Sequence, residues 1–89
     1  MNRGNILDEA KRLVNTDRQK DYGRPEVNHT RIANLWSAFL EIDVTPAQVA
    51  MCMALVKVAR LIESPKHLDS YVDMAAYAAI AGEIETDNK

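Results

Sequence analysis

Residues 45–64, TPAQVAMCMALVKVARLIES, decide the fold because they read as one helix that is apolar on almost every side. Between the Thr-Pro that opens this stretch and the Glu-Ser that ends it, the only polar side chains belong to Gln48, Lys57 and Arg60. We expect such a helix to be buried on most sides. The two cations lie three positions apart and therefore project from one face. If buried there, they need paired anions or a pocket that binds an anion.

The start and end signals of this helix are local and complete. Thr45 is a good N-cap, a proline follows at the first helical position, and Gln48 completes a capping box. These signals predict a helix over residues 46–63. The Ser64-Pro65 pair ends it and also predicts the start of the next helix, with Ser64 as the cap and Pro65 as the first residue.

Three further helices are predicted from apolar residues at helical spacing, over residues 5–16, 25–41 and 65–84. No segment shows the alternation of a strand. The predicted fold is therefore all-α, a single domain over residues 1–89 in which short connections make neighbouring helices antiparallel. The fourth helix carries five alanines between positions 75 and 81, which allow another helix to approach closely. Its alanine face and the apolar third helix predict a homo-oligomer.

The composition excludes several classes of protein. Hydrophobic residues make up 47% of the 89 residues and charged residues 27%, which is a globular balance and not a disordered one. The net charge is -2 without a clustered basic stripe, so nucleic-acid binding is not expected. Cys52 is predicted to be a small buried hydrophobe in a reducing compartment. The polar N-terminus and the short apolar run, which contains two cations, predict a cytoplasmic protein with no membrane partner.

The first candidate site combines cations of the third helix with acids of the fourth. Because the two helices meet at a tight corner, Lys57 and Asp73 lie at similar distances from it, and so do Arg60 and Asp69. One interpretation is two interhelical salt bridges that set the register of the helix pair. The other is a polar pocket in which the cations hold phosphates and the carboxylates hold a metal or ribose hydroxyls.

The second candidate site is the loop DRQKDYGRPEVNH, residues 17–29. Its cations, aromatic ring, amide and imidazole come from Arg18, Lys20, Arg24, Tyr22, Asn28 and His29. Such a set suits a nucleotide, because an aromatic ring stacks on a base and cations bind phosphates. The alternative is a solvated charged loop that Tyr22 anchors to the core.

Two side chains of the fourth helix are chemically notable. His67, in its predicted first turn, joins the candidate ligand-binding residues as a surface or supporting group, because no second histidine lies at metal-binding spacing on this helix. Tyr77 is predicted to be a core residue whose hydroxyl satisfies a buried polar group. The sequence has neither a nucleophile–base pair nor a glycine-rich phosphate loop, so the catalytic residues of any enzyme activity are unknown.

These stretches resemble a known family. HLDSYVDMAAYAA, residues 67–79, looks like the core of the all-α NTP pyrophosphatases, which are called MazG-like. The segments KDYG (20–23), PEVNH (25–29) and IANLW (32–36) are similar to small phage proteins of the MazG-like or nucleotide-modification-associated type. The resemblance covers most of residues 15–82. It implies a MazG-like four-helix bundle with a nucleotide pocket.

The sequence departs from the enzymes at their metal site. The enzymes bind Mg²⁺ through an ExxE motif on one helix and an ExxD motif on the next. Lys57 and Arg60 stand where the ExxE is expected, and only Asp73 remains of the ExxD, with Ser70 and Asp69 before it. Cations there neutralise the carboxylates and repel a metal, whereas they suit direct phosphate binding. The resemblance thus implies a nucleotide pocket, and the substitutions argue against magnesium chemistry.

The leading hypothesis is a phage-type accessory protein that binds a nucleotide or nucleotide-derived signal without a metal or other cofactor. By analogy with other small helical phage proteins, one use would be anti-defence, by sequestering an immune signal in the host cytoplasm. The predicted ligand-binding residues are Lys57, Arg60, Asp69, Asp73, Arg18, Tyr22, Arg24, Asn28 and His67.

Two alternatives remain open. The first is a divergent, Mg²⁺-dependent nucleoside triphosphate pyrophosphohydrolase, with Asp69 and Asp73 as metal ligands. It needs further carboxylates from another subunit, for which Glu41, Glu63 and Glu83 are the candidates. The second is a structural helical oligomer in which the four charges of the third and fourth helices form buried salt bridges.

Overall fold

The computed structural model describes residues 1–17 and 24–86, which form an all-α fold without a strand in these two ranges. The four helices are α1 (Arg3–Arg12), α2 (Pro25–Leu40), α3 (Pro46–Glu63) and α4 (Leu68–Thr86). A π-helical turn, Leu13–Asp17, continues α1. The prediction of an all-α fold with four helices is confirmed. No helix in the described ranges is both long and apolar enough to cross a membrane.

Capping boxes open two of the helices. At the start of α3, the Thr45 hydroxyl accepts a hydrogen bond from the Gln48 amide at 3.2 Å, and the Gln48 side chain accepts one from the Thr45 amide at 3.0 Å. Two backbone donors that a helix start leaves without partners are thereby satisfied. The bounds of α3 agree with the predicted range. The side chains of Asn2 and Asn5 form the same box at the start of α1, two residues earlier than predicted.

The start of α4 differs from the prediction. The helix begins at Leu68, and the residues before it form a tight turn in which the His67 amide donates to the Ser64 carbonyl at 3.0 Å. The Tyr71 hydroxyl fixes this turn by donating to the carbonyl of Pro65 at 2.8 Å. The amide of Ser64 donates back into the last turn of α3. Ser64 therefore closes α3, and the prediction that Pro65 opens the fourth helix is wrong.

The core forms where small residues of α3 meet α4. The buried residues of this first cluster are Ala47, Ala50, Ala54, Tyr77, Ile80 and Ala81. A second cluster joins α1 to α4 through Ala10, Val72 and Ala76. Because α3 and α1 both pack on α4 through alanines, their backbones can approach it closely. Burial of Tyr77 agrees with its predicted place in the core.

One side of α3 is exposed. Its large apolar residues Met51, Leu55, Val58 and Ile62 all face solvent, and so does Cys52. The elements that pack on α3 within the described chain are chiefly α4 and α2, and they cover only the opposite side. The expectations that α3 is buried on most sides and that Cys52 is buried are therefore wrong for the single chain.

Candidate functional site

An ion pair joins α3 to α4 beside the core. The Lys57 ammonium lies 3.0 Å from a carboxylate oxygen of Asp73, and the two side chains are only 12% and 18% exposed. The helical register across the corner predicts this pair. Because water solvates these charges poorly, removing one partner costs more free energy of folding than it does in a surface pair.

The second expected salt bridge does not form. Arg60 and Asp69 are both exposed, and no ion pair joins them in the described structure. The turn before α4 leaves Asp69 in the first turn of that helix, while Arg60 lies in the last turn of α3. Each charge therefore interacts favourably with the dipole of its own helix. The prediction that Arg60 pairs with Asp69 is wrong.

A cleft of about 370 Å³ opens between α1 and the first turns of α4. Its lining residues are Met1, Glu9, Arg12, Leu13, Leu68, Asp69, Val72 and Asp73. Two predicted site residues, Asp69 and Asp73, thus line one concave surface, and Lys57 borders it through its contact with Asp73. The volume falls within the range of about 300–1,000 Å³ that is usual for small-molecule sites.

The α1 wall of the cleft carries two charged side chains that were not among the predicted site residues. The guanidinium of Arg12 donates to the carboxylate of Glu9 at 2.8 Å on the surface of α1. Their spacing of three residues is the available sequence signal, since it places both on one helix face. That this face borders Asp69 and Asp73 is a tertiary contact, which local sequence patterns do not encode.

The predicted loop residues lie apart from the cleft or outside the described chain. Arg24 is the exposed N-cap residue of α2 and forms an ion pair with Glu26. Asn28 is half-buried on α2 and does not line the cleft. Arg18 and Tyr22 lie outside the described residues, so the structure gives them no position relative to Asp69 or Asp73.

The two histidines have structural contacts. Nδ1 of the exposed His67 lies 2.8 Å from the hydroxyl oxygen of the fully buried Ser70. This contact fixes the corner against α4. His29 is buried, and its Nδ1 donates to the carbonyl of Pro25 at 2.8 Å because that carbonyl can only accept. Its ring meets the ring of Tyr77 edge to face, with the centroids 6.3 Å apart. His29 therefore anchors α2 on α4.

The described residues do not provide the oxygen ligands that a magnesium site needs. In the described ranges, no three His, Cys, Asp or Glu side chains are placed to share a metal ion. The ammonium of Lys57 beside Asp73 also opposes a divalent cation there. The three other candidate carboxylates, Glu41, Glu63 and Glu83, are exposed and do not line the α1–α4 cleft.

Comparison with known proteins identifies the family. The family model described as "Domain of unknown function (DUF6378)" matches residues 5–85.

The Gene 55 protein of Mycobacterium phage L5 is 43% identical over 76 residues, which are 84% of this chain and 49% of the relative. The Gene 55 protein of Mycobacterium phage D29 is 45% identical over 73 residues, 82% of this chain and 48% of the relative. This chain thus spans about half the length of these relatives. No solved structure matches it significantly. The chain belongs to the DUF6378 family, which includes phage proteins.

Proposed function

We propose that this chain is a phage-type accessory protein that binds a nucleotide or nucleotide-derived signal, without a metal, in the cleft between α1 and α4. One observation carries the proposal. Asp73, which belongs to the largely buried Lys57–Asp73 pair, lines an open cleft, so this carboxylate can be reached by a ligand. Charged side chains that converge on a concave surface are typical of ligand-binding sites.

The chemistry of the lining suits a nucleotide. The carboxylates of Asp69 and Asp73 can accept hydrogen bonds from ribose hydroxyls or from the amino group of a base. The cations nearest to a bound phosphate are Lys57, which is paired with Asp73, and Arg12, which is paired with Glu9 on the opposite wall. Arg60, the next cation along α3, is exposed and does not line the cleft.

The resemblance to the MazG-like group supports a nucleotide as the ligand class, and membership of a family with phage relatives supports a role during infection. Sequestration of an immune-signalling nucleotide in the host cytoplasm is the use that we propose, by analogy with other small helical phage proteins.

Isothermal titration calorimetry against a panel of linear and cyclic nucleotides tests the proposal. We expect the wild type to bind at least one member of the panel. Asp69→Ala and Lys57→Ala should each weaken that binding by about tenfold or more, because each removes a charge that the ligand contacts directly or through one neighbour. Asp43→Ala and Lys11→Ala are matched controls, since these exposed residues lie away from the cleft, and they should bind like the wild type.

Three outcomes would contradict the proposal. They are the absence of binding to every nucleotide, unchanged binding by both cleft variants, and magnesium-dependent release of pyrophosphate from dNTPs that is lost in Asp73→Asn. The last outcome would favour the pyrophosphohydrolase alternative. Circular dichroism of Lys57→Ala separates loss of binding from loss of the fold, and the exposed Asp69 gives a variant that does not depend on this check.

A second candidate role is purely structural, and the geometry of the ion pair favours it. At 3.0 Å, the ammonium of Lys57 and the carboxylate of Asp73 compensate each other's charge, as they would if they only set the register of α3 against α4. Under this role, no nucleotide stabilises the folded chain, because only a ligand that binds the native state raises its melting temperature.

A further inference from the structure

The exposed side of α3 carries a regular apolar stripe, which we call the α3 seam. It consists of Met51, Leu55, Val58 and Ile62, and each of these side chains is more than a third exposed. Their spacing is four, three and four residues, so they lie in line along one side of the helix. No charged or polar side chain interrupts the seam.

This spacing is that of the a and d positions in a two-helix coiled coil. The seam extends over about 16 Å of helix at 1.5 Å per residue. The positions that follow Met51 and Val58 hold Cys52 and Ala59, which are exposed and small enough to let a second helix approach. Of the charged residues of α3, Lys57 falls at a c position, Arg60 at an f position and Glu63 at a b position, so none of them lies in this seam.

We propose that a second copy of this chain covers the α3 seam, in a two-fold symmetric dimer in which the two α3 helices pack together. A seam without charges complements itself, because packing it against its own copy buries no unpaired charge. The proposal assigns a surface to the self-association that the sequence predicts. It does not depend on nucleotide binding, since no residue of the α3 seam lines the α1–α4 cleft.

Sedimentation velocity of the full chain without nucleotide tests this interface. The wild type should sediment as a dimer or as a larger assembly of dimers. Leu55→Glu and Ile62→Glu should shift it to monomer, because each would bury an unpaired carboxylate in the interface. Leu7→Glu is the matched control: Leu7 on α1 is 61% exposed and Leu55 is 63% exposed. The Leu7 variant should keep the assembly of the wild type.

Thiol labelling of Cys52 gives a second readout at the edge of the seam. The thiol should react several-fold more slowly in the wild type than in Leu55→Glu, and Leu7→Glu should match the wild type. Circular dichroism separates dissociation from unfolding, and Ile62→Glu, at an 82% exposed position, keeps the test valid if Leu55→Glu does not fold.

A wild type that sediments as a monomer would overturn the proposal and would assign the seam to another protein or to further residues of a longer chain. Equal dissociation of Leu55→Glu and Leu7→Glu would also overturn it. These outcomes are distinct from failure of the proposed function, because a dimer that binds no nucleotide keeps this interface and removes only the ligand.

Discussion

The two sides of α3 differ in side-chain size more than in polarity. The side that packs on α4 carries three small buried residues, Ala47, Ala50 and Ala54, together with the half-buried Met53 and the paired Lys57. The opposite side carries the large residues of the α3 seam, which are exposed. Small side chains let α4 approach closely, so the intramolecular core uses them, and the bulkiest apolar groups remain available to a partner. Side-chain size therefore distinguishes the two sides of α3 better than hydropathy does.

The two cations of α3 show the same difference between inner and outer positions. Lys57 is directed towards α4 and pairs with Asp73, whereas Arg60, three residues later, is exposed in the last turn. The interaction of Arg60 with the helix dipole is screened by solvent and worth only about 0.3–1 kcal/mol. Burial, and not position along the sequence, therefore decides which cation matters for the fold.

The largest predicted effect tests the inner side of α3. Ala50 is completely buried against α4, so Ala50→Leu should lower the free energy of unfolding by about 3 kcal/mol, the upper end of the usual range for overpacking. Urea denaturation at a fixed protein concentration measures this change. Ala38→Leu, at an exposed position of α2, should stay within about 0.5 kcal/mol of the wild type. Similar losses in both variants would show that the alanine contact between α3 and α4 is not close.

The next effect compares the two cations. Lys57→Ala should lower the free energy of unfolding by about 2 kcal/mol, because it removes the ammonium that compensates the largely buried Asp73 carboxylate. Arg60→Ala should change it by no more than about 1 kcal/mol, because it removes only the screened interaction of an exposed side chain with the helix dipole. Denaturation curves of the two variants side by side provide the measurement. An Arg60 loss equal to the Lys57 loss would refute the assigned difference in burial.

Features that depend on a few neighbouring residues could be predicted from the sequence. The bounds of α3 follow from the Thr45 and Gln48 capping box, which involves only four residues. The Lys57–Asp73 contact follows from the distance of both residues to the corner, and a long lysine side chain tolerates an error of a few residues in that distance.

Features that depend on tertiary packing could not be predicted. A helix that is apolar all round gives no signal of which side faces α4, so the exposure of Cys52 was not foreseen. Ser64-Pro65 suits either a turn or a helix start, and the turn that forms leaves Asp69 exposed at the start of α4. The docking of α1, which brings Arg12 to the cleft, is likewise a contact between distant residues.

The central claim is that the Lys57–Asp73 pair binds a ligand and is not only a contact between α3 and α4. The double variant Lys57→Met plus Asp73→Leu tests it most directly, through melting temperatures with and without each member of the nucleotide panel. Replacing a largely buried ion pair by apolar residues of similar size is often neutral or stabilising, so the double variant should stay within about 1 kcal/mol of the wild-type stability or exceed it. Our account predicts that a nucleotide raises the melting temperature of the wild type and not that of the double variant. An equal rise in both proteins, or no rise in the wild type, would contradict it.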